Sequence, residues 1–388
     1  MARFYFDHNA TTPVSPEVLE VLIPALADVY GNASSIHQIG QSAKQGLERA
    51  RRQVGNFLKC SWKNVVFTSG GTESDNLGIL GAVRAIAKPK KHVITSTIEH
   101  PAVLKSCAQL ELEGVEVTYV PVGASGVVDP DDVRRALRPE TVLVTIMHAN
   151  NELGTLQPVA ELARIAHEGG ALFHSDGVQA CGKTGFNLGE IDPDLYTISG
   201  HKLQAPKGVG ALIVKKGVTI APLLFGGRHE NGMRPGTENV PGALALGRAA
   251  LWFEENQHEL LPRITELRDH FEGEVLRRID GAQLNCASSP RVSNTSNIRF
   301  DGLHGEPLLI ALDLRGFAVS SGAACSSGAV EPSHVLTAIG LSREEARSCL
   351  RFSLGRSNTR EQVDALVDAL SESVAQLRRV APARLAHV

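Results

Sequence analysis

The run Leu195-Tyr196-Thr197-Ile198-Ser199 is short, apolar and rich in β-formers, and Gly200-His201-Lys202 follows it, so a lysine arrives at the end of a buried strand. Burial disfavours an ammonium. Such a lysine either reaches water or has its pKa lowered until it serves as a base or forms a Schiff base. Four other runs deliver reactive groups in the same way. Asn64 to Thr68 leads into Ser69-Gly70-Gly71-Thr72, where glycines and a hydroxyl at a helix start suit an anion such as phosphate, or a plain helix cap. His92 to Ser96 delivers His100, Val142 to Met147 delivers Asn151, and Ala171 to His174 delivers Asp176, with Gln179 three residues on. Each residue alone has an ordinary structural account. Together they meet the needs of pyridoxal 5'-phosphate: Lys202 for the Schiff base, Asp176 for the pyridinium nitrogen, His100 against the ring, Gln179 at O3′, and Gly71, Thr72, Ser199 and His201 at the phosphate.

The elements that position these groups alternate, apolar runs with helical segments, as in βαβ units around a mainly parallel sheet. Ligands of such sheets collect at the carboxyl ends of the strands. Before them, Phe4 to Asp7 reads as a short strand, and Pro16 to Ala27 as a helix with a kink at Pro24. A helix is expected from Pro158 to Gly169-Gly170, and long helical segments from Pro241 to Ile279 join two lobes. No Gly-Lys-Thr/Ser follows Gly71 and no dinucleotide fingerprint is present, which excludes those two nucleotide motifs.

The 388 residues suffice for a large and a smaller domain. With 39 basic against 42 acidic residues and no basic run interleaved with aromatics, nucleic acid is not expected as a partner. No apolar stretch is long enough to span a membrane and the first residues lack a signal-peptide layout, so a cytoplasmic protein without a membrane partner is expected. The six cysteines show no zinc spacing; free thiols and no metal site are expected. Cys325 differs from the other five. It lies in Ser320 to Gly328, a run of small residues with little to hold it in a core, and such a loop can move as a sulfur-carrying nucleophile must.

The segments Asp7 to Thr12 (DHNATT), Ser69 to Asn76 (SGGTESDN), Glu99-His100-Pro101, Ala149 to Gly154 (ANNELG), His174 to Gln179 and Ser199 to Lys202 resemble the NifS/IscS-type cysteine desulfurases, a class V, fold-type I pyridoxal group. Arg234 to Val240 (RPGTENV), Ser320 to Gly328 (SSGAACSSG), Ser333 to Leu336 and Arg351 to Arg356 (RFSLGR) extend the likeness over nearly the whole chain. The resemblance implies an α/β fold-type I architecture: a large cofactor-binding domain over 14–256 with a mainly parallel seven-stranded sheet, and a smaller α+β domain from 1–13 and 257–388. It implies a homodimer in which Thr237 reaches the partner subunit's cofactor phosphate. It further implies that Arg351 grips the substrate carboxylate, with Asn151 as a second contact that also touches the cofactor, and that Lys202 and His100 move protons. Cys325 would take sulfur from L-cysteine as a persulfide, leaving L-alanine, for an acceptor such as an iron-sulfur scaffold or a tRNA-thiolation protein. Gly177, Gln204-Ala205 and Pro235 depart from the family's usual residues. A selenocysteine lyase or an aminotransferase is the nearest alternative, although an aminotransferase has no need of Cys325. A non-catalytic binding protein on the same fold would be expected to lose Lys202, Asp176 or Cys325, and all three are present.

Overall fold

A computed structural model of the chain describes residues 3–321 and 332–380. Cys325 therefore lies outside the described residues. The strands are β1 (Phe4–Tyr5), β2 (Val65–Thr68), β3 (His92–Ser96), β4 (Glu116–Val120), β5 (Thr141–Thr145), β6 (Leu172–Asp176), β7 (Leu195–Ser199), β8 (Gly210–Val214), β9 (Ala282–Leu284), β10 (Thr295–Phe300), β11 (Phe317–Ala318), β12 (Ser320–Ser321) and β13 (Cys349–Ser353). Seven of them form one sheet in the order β2-β8-β7-β6-β5-β3-β4. Only β8 runs against its neighbours, pairing antiparallel with both β2 and β7. The other six point the same way, so their carboxyl ends share one edge of the sheet.

The central strands are buried on both faces and read as unbroken apolar or threonine-containing runs, as strands covered by helices on each side do. Strand β5 ends two residues sooner than the apolar run Val142 to Met147 suggested. Beyond it the Met147 N–H turns aside to the buried Glu99 carboxylate, 3.0 Å away. The helix Val159–Glu168 has Pro158 as its N-cap and ends at Gly169, within a residue of expectation. The helix Pro16–Asp28 runs through Pro24 as one element.

A second sheet, β12-β13-β10-β9, is antiparallel throughout, and β1 pairs in parallel with β11. The 39-residue helix Val240–Arg278 joins the two parts. Its first half, from Val240 to Phe253, packs into the core beneath the large sheet. Its second half, from Ile264 to Val275, packs with Phe300, Phe352 and Val363 in a separate core. The helix Gln38–Phe57 lies close against the first half because Gly247 has no side chain; a Cβ there would stand 2.7 Å from the Ala50 Cα. Among the described residues no helix is long and apolar enough to cross a membrane, and Cys60, Cys107, Cys181, Cys286 and Cys349 are free thiols.

Candidate active site

A cavity of about 380 Å³ opens along the carboxyl edge of the large sheet. It is lined by Gly71, Thr72, His100, Asn151, Asp176, Gln179, Ser199, His201, Lys202 and Arg351, ten of the twelve site residues expected from sequence. Thr237 lies elsewhere, in a neighbouring recess with Ser69, Arg234 and Gly236. Cys325 is the twelfth and falls outside the described residues.

Lys202 follows β7 on a single 3₁₀ turn. Its amine donates to the carbonyls of Asn9 and of Ala10, the latter at 2.8 Å. Burial, with a further push from the Arg351 charge, lowers its pKa to about 8, against the pull of Asp176 and Asp7. Asp176 ends β6, buried, with Oδ1 accepting from the Val178 N–H at 2.9 Å. Burial raises its pKa, and His100, the Val178 N–H and Lys202 oppose that rise. His100 is the N-cap of the helix Pro101–Leu112: its Nδ1 accepts from the Ala102 N–H at 3.1 Å, which leaves Nε2 as the protonated nitrogen of the neutral ring. Burial lowers its pKa, in keeping with that neutral form.

The glycine-hydroxyl stretch after β2 behaves as a helix start. Gly70 has φ of 152°, and the helix Gly71–Ala85 begins beside Ser199, with its first N–H groups lacking intrahelical acceptors. A Cβ on Gly71 would stand 3.0 Å from a Val178 methyl, a tight contact that glycine avoids. His201 bonds through Nδ1 to Thr11 Oγ1 at 3.1 Å, which ties the ring to the DHNATT segment.

Asn151 and Arg351 arrive from different parts of the fold. Asn150, wholly buried, accepts the N–H groups of Glu152 and Leu153 on its Oδ1 and so shapes the turn that presents Asn151. Arg351 lies on β13; one guanidinium nitrogen donates to the Asn151 carbonyl at 3.0 Å and another to Asp7 Oδ1 at 2.7 Å. Its Nε is buried without a partner. That leaves a donor on the guanidinium unspent.

Several residues at the site went unassigned in the sequence reading. Asn9 is a hub: its side chain contacts the Asn151 carbonyl, Thr295, Lys183 and Asn294, and its carbonyl accepts from Lys202 and Gln179. The conspicuous polar motif DHNATT was the signal. Asp75 also lines the cavity, and burial with the nearby Asp176 raises its pKa well above the ordinary value. Glu99 holds Ser96 and Met147, while Glu152 accepts from the Ser333 hydroxyl at 2.6 Å.

Three of the four departures from the family pattern have local accounts. A Cβ on Gly177 would stand 2.0 Å from the Tyr196 ring, whose hydroxyl is bonded to His148 Nδ1 at 2.8 Å. Tyr196 therefore occupies the space an alanine would need. Gln204 takes φ of 61°, held by its N–H to Thr12 Oγ1 and its carbonyl to the Ser15 N–H. Ala205 is buried against Gly200. Nothing in the structure explains Pro235.

The chain matches the model of the class-V aminotransferase family over residues 4–366. It is 45% identical over 378 residues to the cysteine desulfurase IscS of Dictyoglomus turgidum, covering 97% of this chain and 96% of that protein. Among solved structures it resembles a NifS-like protein with a TM-score of 0.90 and 36% identity, covering 96% of this chain and 100% of the other. It also resembles SspA, solved in complex with cysteine, with a TM-score of 0.80 and 36% identity over 92% of this chain and 99% of that one. The chain belongs to the class-V aminotransferase family, among the cysteine desulfurases of NifS/IscS type.

Proposed function

We propose that the protein holds pyridoxal 5'-phosphate on Lys202 and converts L-cysteine to L-alanine, with Cys325 receiving the sulfur as a persulfide. One observation carries the reading: a depressed lysine, a buried carboxylate, a neutral imidazole and an arginine with an unspent donor line a single cavity. The cavity also fits the cofactor in its donor set. Asp176 is the buried anion for a protonated ring nitrogen, and the start of the helix Gly71–Ala85, with Thr72, Ser199 and His201, supplies donors for a phosphate. Asp75, His100 and Asp176 bring donor atoms within 4.8 Å of one another, a spacing a metal could also use. The amine of Lys202 and the guanidinium of Arg351 share that cavity, which favours an anionic ligand over a cation.

Pyridoxal phosphate supplies an electron sink for the bond pair released at the substrate Cα. The rest falls to the chain. Arg351 and Asn151 orient the substrate by its carboxylate, Lys202 carries the α-proton, and His100 serves as proton relay through Nε2. The Cys325 thiolate attacks the substrate sulfur. As the S–S bond forms, the Cβ–S bond breaks, and its electron pair remains on carbon to be protonated, which yields alanine.

The chain on either side of the Cys325 segment is attached beside the cavity. Ser320 is the register partner of Arg351, and Ser333 bonds to Glu152, next to Asn151. That tether supports Cys325 as the acceptor thiol. Exposed apolar side chains at Ile23, Leu26, Tyr30, Ile36 and Phe225, together with Thr237 outside its own chain's cavity, support a homodimer in which Thr237 serves the partner's cofactor. A persulfide carrier with free thiols suits a reducing compartment, and we place the protein in the cytoplasm with an iron-sulfur scaffold or tRNA-thiolation protein as acceptor. The test is alanine release from L-cysteine under reducing conditions by the parent and by Cys325→Ser. Release by the parent alone supports the reading; equal release by both moves the nucleophile elsewhere, and release by neither favours selenocysteine cleavage or transamination.

A further inference from the structure

Lys183 is a buried lysine without a carboxylate. It is 6% exposed, and among the described residues its amine makes no ion pair. Burial, then the charges of Lys202 and Arg351, lower its pKa well below the ordinary value, with Cys181 and Asp7 only partly offsetting them. A third basic group beside Lys202 and Arg351 is costly to keep, and its hydrogen bonds show where that cost is spent. The amine donates to Asn9 Oδ1 at 2.8 Å and to Gln179 Oε1. The four-residue spacing from Gln179, along the turns that run from Val178 to Lys183, puts both side chains on one side of the backbone.

The Lys183 amine donates to Gln179 Oε1, so the oxygen end of that amide faces Lys183. Its Nε2 then faces the other way. One of its N–H bonds goes to the Asn9 carbonyl at 3.0 Å, and the second remains for the cavity that Gln179 lines. The Asn9 carbonyl at Nε2 and the Lys183 amine at Oε1 thus hold the two ends of the amide together and fix which end the cavity meets.

We infer that Lys183 is a positioning residue that locks the Gln179 amide so that it presents a donor, never its oxygen, to the phenolic oxygen of the cofactor. The inference rests on the proposed function, in which Gln179 stands opposite that oxygen. A donor there stabilises the phenolate most when the proton shared with the Lys202 nitrogen has left. Lys183 thereby lowers the pH at which that proton is lost.

The test is the pH titration of visible absorbance of the cofactor-loaded protein without substrate. Lys183→Met, close in shape and without a donor, is expected to move the midpoint up by about one unit, a tenfold tighter hold on the proton. Gln179→Leu is expected to shift it equally, and the double variant no further. Lys183→Gln, which keeps a neutral donor, gives a smaller shift in the same direction and replaces Lys183→Met should that variant not fold. An unchanged midpoint in the folded variant, or shifts that add in the double variant, overturns the lock. A parent protein that shows no pH-dependent visible band overturns the functional reading itself, a result distinct from either.

Discussion

Capture of the cofactor by the cofactor-free protein should report the state of Lys202 directly, because only the neutral amine attacks an aldehyde. Burial and Arg351 lower its pKa from 10.5 to about 8. Near pH 7 the neutral fraction is then about 10%, against about 0.03% for an unperturbed lysine, a gain of about 300-fold or roughly 3 kcal/mol. Mixing the protein with pyridoxal phosphate and following the visible band from acid to alkaline pH should show a rate that rises tenfold per unit, then levels near pH 8. Replacing Arg351 with glutamine removes a repelling charge and should move the bend upward. The sign extends to stability. Between about pH 8 and 10.5 the unfolded chain holds more protons on this lysine than the folded one, so the cofactor-free protein gains stability as pH rises through that window. A rate that keeps climbing tenfold per unit past about pH 9.5 would show an ordinary lysine and refute the reasoning.

Arg351→Lys keeps the charge but loses the planar fork. It should lower kcat/KM for L-cysteine by about 30- to 300-fold, chiefly through KM, and an unchanged KM in steady-state assays would remove the carboxylate role. Gly177→Ala forces a Cβ into the Tyr196 ring and should cost about 3 kcal/mol in denaturant unfolding. Tyr196→Leu in that background should recover part of the loss; strictly additive costs would mean that the two side chains do not compete for the space.

Most of the site was legible because strand ends announce themselves. Lys202, Asp176, His100 and Asn151 each follow an apolar run, and a parallel sheet brings such ends together. The antiparallel course of β8 was not legible, since its run Gly210–Val214 is as apolar as its neighbours and direction leaves no trace in composition. Asn9 and Lys183 were also missed. The partners of Asn9 lie more than a hundred residues away in the chain, Lys183 among them, and an asparagine whose side chain bridges Asn151, Thr295 and Lys183 looks like any loop asparagine until the fold closes. Arg351 could be assigned only through the family likeness, because an arginine on a strand ordinarily reads as a surface ion pair. Its burial, its bond to Asp7 and its spare donor came from the structure.

The central claim is that sulfur leaves L-cysteine for Cys325. The most direct measurement is the mass of the peptide carrying Cys325 after a single turnover with one equivalent of L-cysteine, beside the alanine formed. One added sulfur on that peptide for each alanine is the predicted result. Alanine formed in full while the Cys325 peptide keeps its unmodified mass would contradict the account.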